Sequence, residues 1–281
     1  MEFTSEGGEQ RYAALVRAAA ESIVGLDFDG TLAPIVEDPA EAHIHPEAGA
    51  VLAALAEQVL AVAVVTGRPA RQALDLGGLE QVGNAIGDAG KELYLFGQYG
   101  NERWSSTNRR VISPRPPHGL ASFTAELPRM LRRLGVEDAH IEEKGLAVAV
   151  HTRRTADPDA AFEALLPELR AHAARYDLVV EPGKQVIEIR SPGMDKGMVV
   201  DRLVSELTAG GFVFVGDDLG DVEAFEAVAK LAKDGLPTLL VCSASSEQSV
   251  LVPLSDVVVH GPEGVLDLLR QLTADASSLR A

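Results

Sequence analysis

Short apolar runs alternate along much of the chain with longer segments of helical periodicity. Short runs rich in β-branched residues and bounded by glycine, proline or polar residues are typical of buried strands. The predicted strands are 22–26, 60–65, 93–98, 212–215, 238–242 and 256–259, and the predicted helices are 46–58, 69–76, 221–232 and 262–272. Alternating strands and helices predict an α/β fold, a doubly wound parallel sheet covered on both faces.

The middle of the chain follows a different pattern. It reads as a helix, two strands, a second helix and two more strands, at 120–134, 139–143, 147–152, 157–175, 178–181 and 185–189. This αββαββ order predicts two hairpins on one sheet, with helices on the other face of the sheet. We therefore expect an inserted α+β cap domain over 104–189, between core segments 1–103 and 190–281. An insert of this length has the size of a small domain.

Charge and composition narrow the possible partners. The 281-residue chain has a formal net charge of −17, which disfavours binding to the anionic backbone of a nucleic acid. Cys242 is the one cysteine, so an internal disulfide is excluded. The longest apolar stretch, 48–65, is broken by Glu57 and Gln58, so no membrane span is predicted. The first ten residues have no signal-peptide pattern. We expect a cytoplasmic monomer that acts on a small molecule.

Two carboxylates carry the strongest chemical signal. Asp27 and Asp29, in the run Asp27-Phe28-Asp29-Gly30-Thr31, follow a predicted buried strand. Ligands of open α/β sheets bind at the carboxyl ends of strands, and a turn helped by Gly30 lets both acids face one cavity. Taken alone, the pair would equally suit a solvated acidic turn or a helix cap.

Three more polar groups lie near the ends of other predicted strands. Thr66-Gly67-Arg68 follows the strand that ends at Val65, and the run 216–221 follows the strand that ends at Val215. Lys196-Gly197 precedes the helix that leads to this latter strand. Each group has an ordinary structural explanation: a helix cap, a solvated lysine or an acidic loop. Their occurrence together and in this order favours one shared site.

These four groups resemble, in order, the four motifs of the haloacid dehalogenase-like phosphatases. Matches in and near the insert are similar to the trehalose-6-phosphate phosphatase family and extend the resemblance over about 23–272. They comprise the runs 97–102, 142–144, 151–153, 183–190 and 193–197. The resemblance implies a Rossmann-like core with a C2-type cap. The chain departs from the family at Tyr99, where histidine is common, at Gly220 and Val222 of the last motif, and at Ser191.

The resemblance implies a phosphatase mechanism. Asp27 is the expected nucleophile, which forms an aspartyl-phosphate, and Asp29 is the expected general acid and base. Mg²⁺ is the implied cofactor, held by Asp27, the backbone carbonyl of Asp29 and Asp217. Thr66 and Lys196 are expected to bind the phosphoryl oxygens. Two further acids, Asp218 and Asp221, are expected to hold waters or to orient Lys196.

Substrate recognition is expected to fall largely on polar residues of the insert, because a sugar offers only hydroxyl groups. The expected substrate-binding residues are Arg68, Glu102, Glu142, Lys144, His151, Arg153, Lys184 and Glu188. Half of the polar side chains of an alternating strand would simply face water. His151 and Arg153, two residues apart, are expected to share one face of a strand.

The implied reaction is Mg²⁺-dependent hydrolysis of a sugar phosphate, with trehalose 6-phosphate as the leading candidate. Three alternatives stay open at this point. One is a phosphatase for another sugar phosphate, of the sucrose or mannosyl type. Another is a regulatory module that binds a sugar phosphate without turnover, although binding alone does not require Asp29. The third is a mutase that moves phosphate within one sugar.

Overall fold

The chain divides into two units in a computed structural model, which describes residues 2–4, 6–183, 185–193, 195–244 and 250–280. The first unit, here called the core, comprises 1–112 and 195–281, and the second, here called the insert, comprises 113–194. No helix among the described residues is both long enough and apolar enough to cross a membrane.

The described part of the core contains one eight-stranded sheet. Its strands in chain order are β1 Glu2–Phe3, β2 Ser22–Leu26, β3 Ala61–Val65, β4 Leu93–Gly97 and β5 Glu102–Ser105, and then, after the insert, β10 Gly211–Gly216, β11 Thr238–Ala244 and β12 Val257–His260. Their order across the sheet is β1-β12-β11-β10-β2-β3-β4-β5. The six strands from β12 to β4 are parallel, while β1 and β5 pair antiparallel at the two edges.

Helices precede, connect or follow the parallel strands of the core. They are α1 Glu6–Arg17, α2 Ala48–Ala56, α3 Ala70–Gly77, α4 Leu79–Asp88, α7 Lys196–Leu207, α8 Val222–Lys233 and α9 Gly261–Ser278. Every residue of β2, β3, β4 and β10 is buried, as expected for parallel strands covered on both faces. The predicted α/β fold class with its parallel sheet is thereby confirmed.

The insert contains a separate four-stranded antiparallel sheet. Its elements are α5 Leu120–Leu134, β6 His140–Glu143, β7 Ala147–His151, α6 Pro158–Ala173, β8 Val179–Gly183 and β9 Val186–Arg190. The strand order is β6-β7-β9-β8. Apolar side chains on one face of this sheet, including Val148 and Ile187, pack with Phe123 of α5 and Leu165 of α6 in a core of their own.

The boundaries of the insert differ from the predicted 104–189. Residues 104–112 lie in the core because β5 pairs with β4 and a further bridge joins Arg103 to Ile112. Arg190 lies in the insert because it ends β9 and pairs with Ala147 and Val179. The proline-rich stretch 113–117 begins the insert.

Candidate active site

Three neighbouring parallel strands bring the predicted core residues together. In the middle of the sheet, β2 is flanked by β10 and β3, and Asp27, Asp217 and Thr66 follow these strands at their carboxyl ends. The backbone N–H of Asp27 donates to the carbonyl of Val215 at 2.9 Å, which continues the β2–β10 register past the end of β2. The three side chains are therefore held at one edge of the sheet.

Lys196 links two buried acids. Its Nζ donates to Asp27 Oδ1 at 2.6 Å and to Asp221 Oδ1 at 2.7 Å, and all three residues are buried. Burial opposes the charge on Lys196, but the adjacent Asp221 and Asp27 outweigh it and raise its pKa well above the ordinary value. Lys196 is the first residue of α7, not a residue before the helix as predicted, and Asp195 caps that helix by accepting from the N–H of Met198.

The acidic loop after β10 is organised around Asp221. Its Oδ2 accepts from the backbone N–H of Asp217 at 2.9 Å and lies 3.4 Å from that of Asp218. One oxygen from each of Asp27, Asp217 and Asp221 lies within 4.8 Å of the others. Burial, followed by the charge of Asp27, raises the pKa of Asp217 to about 10. Burial and Asp221 likewise raise the pKa of Asp27, against the opposing effect of Lys196.

A close backbone approach brings the two acidic loops together. Gly30 has a φ of 65°, and a side-chain carbon at this position would collide with the carboxylate of Asp217. Behind it, Ser243 at the end of β11 donates to the carbonyl of Gly30 at 2.6 Å. Sequence reasoning missed Ser243, although its position near the end of a predicted parallel strand was an available signal.

The guanidinium group of Arg68 donates two hydrogen bonds to Asp29. Nε donates to Asp29 Oδ2 at 2.7 Å and Nη2 donates to Oδ1 at 2.6 Å, a bidentate geometry that fixes the carboxylate plane. Nη1 donates to the carbonyl of Pro39 at 2.8 Å. Arg68, predicted as a substrate-binding residue, is therefore the partner of the predicted general acid in this structure.

Three other predicted residues make local contacts in the core. Thr66 Oγ1 is buried and accepts from the backbone N–H of Arg68 at 3.1 Å. Asp218 is exposed and caps its own turn through the N–H of Gly220 at 2.8 Å. Glu102 belongs to the core, where its carboxylate accepts from the N–H of Ala70 at the first turn of α3, at 2.6 Å.

The register of the insert sheet gathers polar residues on one face. Glu142 pairs with Ala149, Ala149 with Glu188, and Glu188 with Glu181, so these four residues form one row across the strands. Paired residues of neighbouring strands share a face of the sheet. The small side chains of Ala147 and Ala149 on β7 leave space above the middle of this face. The apolar residues that alternate with them face α5 and α6.

Ion pairs connect the side chains of this polar face. Lys144 Nζ donates to Glu188 Oε2 at 2.6 Å, and both side chains are largely buried. His151 Nε2 lies 2.9 Å from Glu142 Oε2. This hydrogen bond, helped by the charge of Lys144, lowers the pKa of Glu142 against the opposing effect of burial.

A third pair on this face was not predicted. Arg190 Nη2 donates to Glu181 Oε1 at 3.0 Å. Arg190 lies two positions after Glu188 on β9, and Glu181 on β8 pairs with Glu188. Both residues therefore belong to the polar face. The two-residue spacing of Glu188 and Arg190 could be read from the sequence once the strands were assigned.

The predictions for Arg153 and Lys184 of the insert have different outcomes. Strand β7 ends at His151, and Arg153 is exposed in the turn that follows, so the prediction that these residues share a face of one strand is wrong. The chain leaves the sheet at Thr152, whose N–H donates to the carbonyl of Gln185. Lys184 lies outside the described residues.

Solved structures resemble this chain in fold. The C-terminal domain of a trehalose-6-phosphate phosphatase from C. albicans superposes with a TM-score of 0.76 at 22% sequence identity, covering 97% of this chain and 98% of that one. A haloacid dehalogenase-like hydrolase from Bacteroides thetaiotaomicron superposes with a TM-score of 0.60 at 14% identity, covering 89% and 99%. These likenesses show that the chain has the fold class of these proteins, with its acidic cluster at the carboxyl edge of the sheet.

Sequence relatives narrow this class. A family model described as trehalose-phosphatase matches residues 25–258. A trehalose-phosphate phosphatase of Mycobacterium avium is 31% identical over 231 residues, covering 79% of this chain and 55% of that protein. An uncharacterized glycosyl hydrolase of Mycobacterium tuberculosis is 34% identical over 216 residues, covering 73% of this chain and 15% of that protein. The chain belongs to the trehalose-phosphatase family, a family of phosphoric monoester hydrolases, and this confirms the predicted family.

Proposed function

We propose that this chain hydrolyses trehalose 6-phosphate to trehalose and phosphate through an aspartyl-phosphate on Asp27. The observation that carries the proposal is the buried cluster at the carboxyl edge of the sheet, where Lys196 bonds Asp27 and Asp221 beside Asp217. Membership of the trehalose-phosphatase family supports this sugar phosphate as the first candidate. The chain spans only part of the two relatives described above, so the activity of the whole protein is part of this proposal.

In the first step, a carboxylate oxygen of Asp27 attacks phosphorus and the bond from phosphorus to the sugar oxygen breaks. Asp29 donates a proton to that oxygen as it leaves. In the second step, Asp29 takes a proton from water, the water oxygen attacks phosphorus, and the acyl-phosphate bond breaks to restore Asp27. Lys196 and the hydroxyl of Thr66 stabilise negative charge on the phosphoryl oxygens.

Asp29 has to leave its resting partner to perform this role. Both of its carboxylate oxygens accept hydrogen bonds from Arg68 in this structure. The Asp29 side chain is 40% exposed, whereas that of Arg68 is 9% exposed. The acid is therefore the more accessible partner, and we infer that Asp29 rotates toward the leaving oxygen while Arg68 stays on the carbonyl of Pro39.

The donor set suits a magnesium ion. Carboxylate and carbonyl oxygens are the ligands that this hard cation prefers, and Asp27, Asp217 and the backbone carbonyl of Asp29 are the proposed ligands. When bound, Mg²⁺ would offset the repulsion between the nucleophile and the phosphate. Asp221 has both oxygens engaged, by Lys196 and by the N–H of Asp217, which supports a role in orienting Lys196 instead of binding the metal.

The polar face of the insert supplies the groups for sugar recognition in this proposal. Glu142, Lys144, His151 and Glu188 present polar groups whose positions are set by the hydrogen bonds between them. Sites built to hydrogen-bond hydroxyl groups discriminate strongly, because a substrate that lacks a partner leaves a buried polar group unpaired. Preformed ion pairs also limit the side-chain entropy lost on binding.

The test is phosphate release from a panel of sugar phosphates with Mg²⁺, in the wild type and in Asp27→Asn. We expect trehalose 6-phosphate to be hydrolysed fastest and the Asp27→Asn variant to release no phosphate from any substrate. A faster rate on a sucrose or mannosyl phosphate would reassign the sugar. Tight binding without phosphate release would favour a regulatory module, and transfer within one sugar would favour a mutase.

A further inference from the structure

Left-handed backbone at three consecutive residues follows β4. Gln98 and Tyr99 have φ values of 47° and 58°, and Gly100 has 100°. Bulky residues rarely adopt this conformation, and they keep it where surrounding structure holds it in place. Here the N–H of Gln98 donates to the carbonyl of Arg68 at 2.8 Å, and that of Tyr99 donates to the carbonyl of Thr66 at 3.0 Å. The strained turn is thus bonded to the loop that carries Thr66.

The Tyr99 ring lies over Gly67. A side-chain carbon built at Gly67 would stand 2.9 Å from both Cζ and Oη of Tyr99, closer than such carbons are found. Gly67 does not have the positive φ that often accounts for glycine. A side chain at position 67 would therefore displace the Tyr99 ring.

The other side of the ring approaches the acidic loop after β10. A side-chain carbon built at Gly220 would lie 3.9 Å from Cε1 of Tyr99, in ordinary contact. Tyr99 consequently extends from the loop of Thr66 to the loop that contains Asp217 and Asp221. Tyr99 is a partly exposed residue at this edge of the sheet.

We propose that Tyr99 is a specificity-determining residue, whose ring is the surface against which the phosphate-bearing sugar packs. This inference rests on the proposed function, because it takes the phosphoryl group to lie between Asp27 and Thr66. In that arrangement, the sugar that carries the phosphate extends out of the site past Tyr99. A rigid aromatic face offers apolar contact to the C–H groups of a sugar. The hydrogen bonds from the N–H groups of Gln98 and Tyr99 hold the backbone that carries the ring.

Two variants separate the ring from the backbone that carries it. Tyr99→Asn removes the ring with a residue that tolerates left-handed backbone, and Tyr99→Phe keeps the ring without its hydroxyl. The readouts are KM and kcat for trehalose 6-phosphate and the inhibition constant of inorganic phosphate, which has no sugar. Fluorescence of Trp104, the single tryptophan and a buried residue of the core, verifies folding.

We expect Tyr99→Asn to raise KM for the sugar phosphate about tenfold and to leave the inhibition constant of phosphate within about twofold. In Tyr99→Phe, KM for the sugar phosphate and the inhibition constant of phosphate are each expected to stay within about threefold of the wild-type values. Parallel losses in the two readouts would overturn the proposal, because the ring would then serve only to support the phosphate-binding loop. An unchanged KM in Tyr99→Asn would overturn it as well. A wild type that hydrolyses no sugar phosphate would instead overturn the proposed function, and this inference with it.

Discussion

Replacement of Lys196 by methionine tests the electrostatics of the site directly. Methionine has a similar length, so packing at this buried position is largely kept while the charge is lost. Two charge contacts of 2.6 and 2.7 Å disappear, each with a Coulomb energy of about 6 kcal/mol at an effective dielectric constant of about 20. The desolvation of Lys196 is recovered at the same time. The net loss on removing one partner of a buried ion pair is about 3–5 kcal/mol of unfolding free energy.

The loss is expected to depend on pH, with a sign set by the remaining acids. Burial raises the pKa of Asp27 and of Asp221, and Lys196 opposes this in both. Without Lys196 both values rise further. An acid whose folded pKa is raised destabilises the fold above its unfolded pKa, where the unfolded state ionises and the folded state does not. The destabilisation caused by the substitution should therefore grow as the pH rises above the unfolded pKa of these acids and shrink as the pH falls.

The assay is urea unfolding followed by Trp104 fluorescence, in metal-free buffer so that no cation replaces the lysine. Trp104 is buried in the same unit as Lys196 and therefore reports on the core. The matched control is Lys233→Met, an exposed lysine in α8, which should change stability by about 0.5 kcal/mol or less. A loss below about 1 kcal/mol at pH 8, or one that does not vary with pH, would refute the reasoning.

Three further predictions concern activity. Chelation of divalent cations should abolish phosphate release, and Mg²⁺ should restore it, because the anionic nucleophile and the phosphate repel each other. Asp29→Asn should lower turnover of the sugar phosphate by about a hundredfold or more, and by much less for an aryl phosphate whose leaving group needs no proton. Lys144→Met and Glu188→Gln should each lower kcat/KM for trehalose 6-phosphate by about ten- to a hundredfold while an aryl phosphate is hydrolysed at nearly the wild-type rate.

Each of these three predictions has an outcome that would contradict it. Full activity in excess chelator would remove the metal from the mechanism. Equal losses of Asp29→Asn on the two substrates would contradict its role as proton donor. For the insert, Glu143→Gln is the matched control, because Glu143 neighbours Glu142 on β6 but pairs with Val148 on the other face of the sheet. Loss of both activities in Glu188→Gln would show that the insert serves the chemistry itself.

Much of the fold could be predicted because burial on both faces leaves a strong local signal. Ser22–Leu26 and Leu120–Leu134 have the predicted bounds, and most of the other predicted elements agree within a few residues. Helix α4 was missed because its glycines, Gly83 and Gly87, are poor helix formers. Tertiary packing overrides that propensity, since a side-chain carbon at Gly83 would meet Ser106 at 2.7 Å and Trp104 at 3.2 Å.

The edge elements left a weaker signal. Strand β1 has two residues, too few to show an alternation, and β5, Glu102–Ser105, begins with two charged residues, so no apolar run marks it. Helix α1 buries only a narrow stripe that includes Tyr12 and Leu15, so its pattern did not stand out. These elements form because strands already in place offer them a partner, which is information that no local stretch of the chain contains.

By itself, the sequence determined which chemical groups reach the edge of the sheet. Parallel strands must present their carboxyl ends together, so acids placed after β2 and β10 are brought to one site whatever the details of the loops. The sequence did not determine which groups pair there. Lys196 and Asp27 are 169 residues apart, and Arg68 reaches Asp29 across two loops.

Such pairings were decided only by the tertiary structure, because they depend on strand register, loop path and side-chain rotamer at once. The contact of Lys144 with Glu188 requires the β7–β9 register, and a shift of one residue would turn Glu188 into the apolar core of the insert. The Tyr99 ring likewise reaches Gly67 only through a left-handed turn that the hydrogen bonds of Thr66 and Arg68 hold. Residue type sets the chemistry available at the site, and three-dimensional packing selects which of the available contacts form.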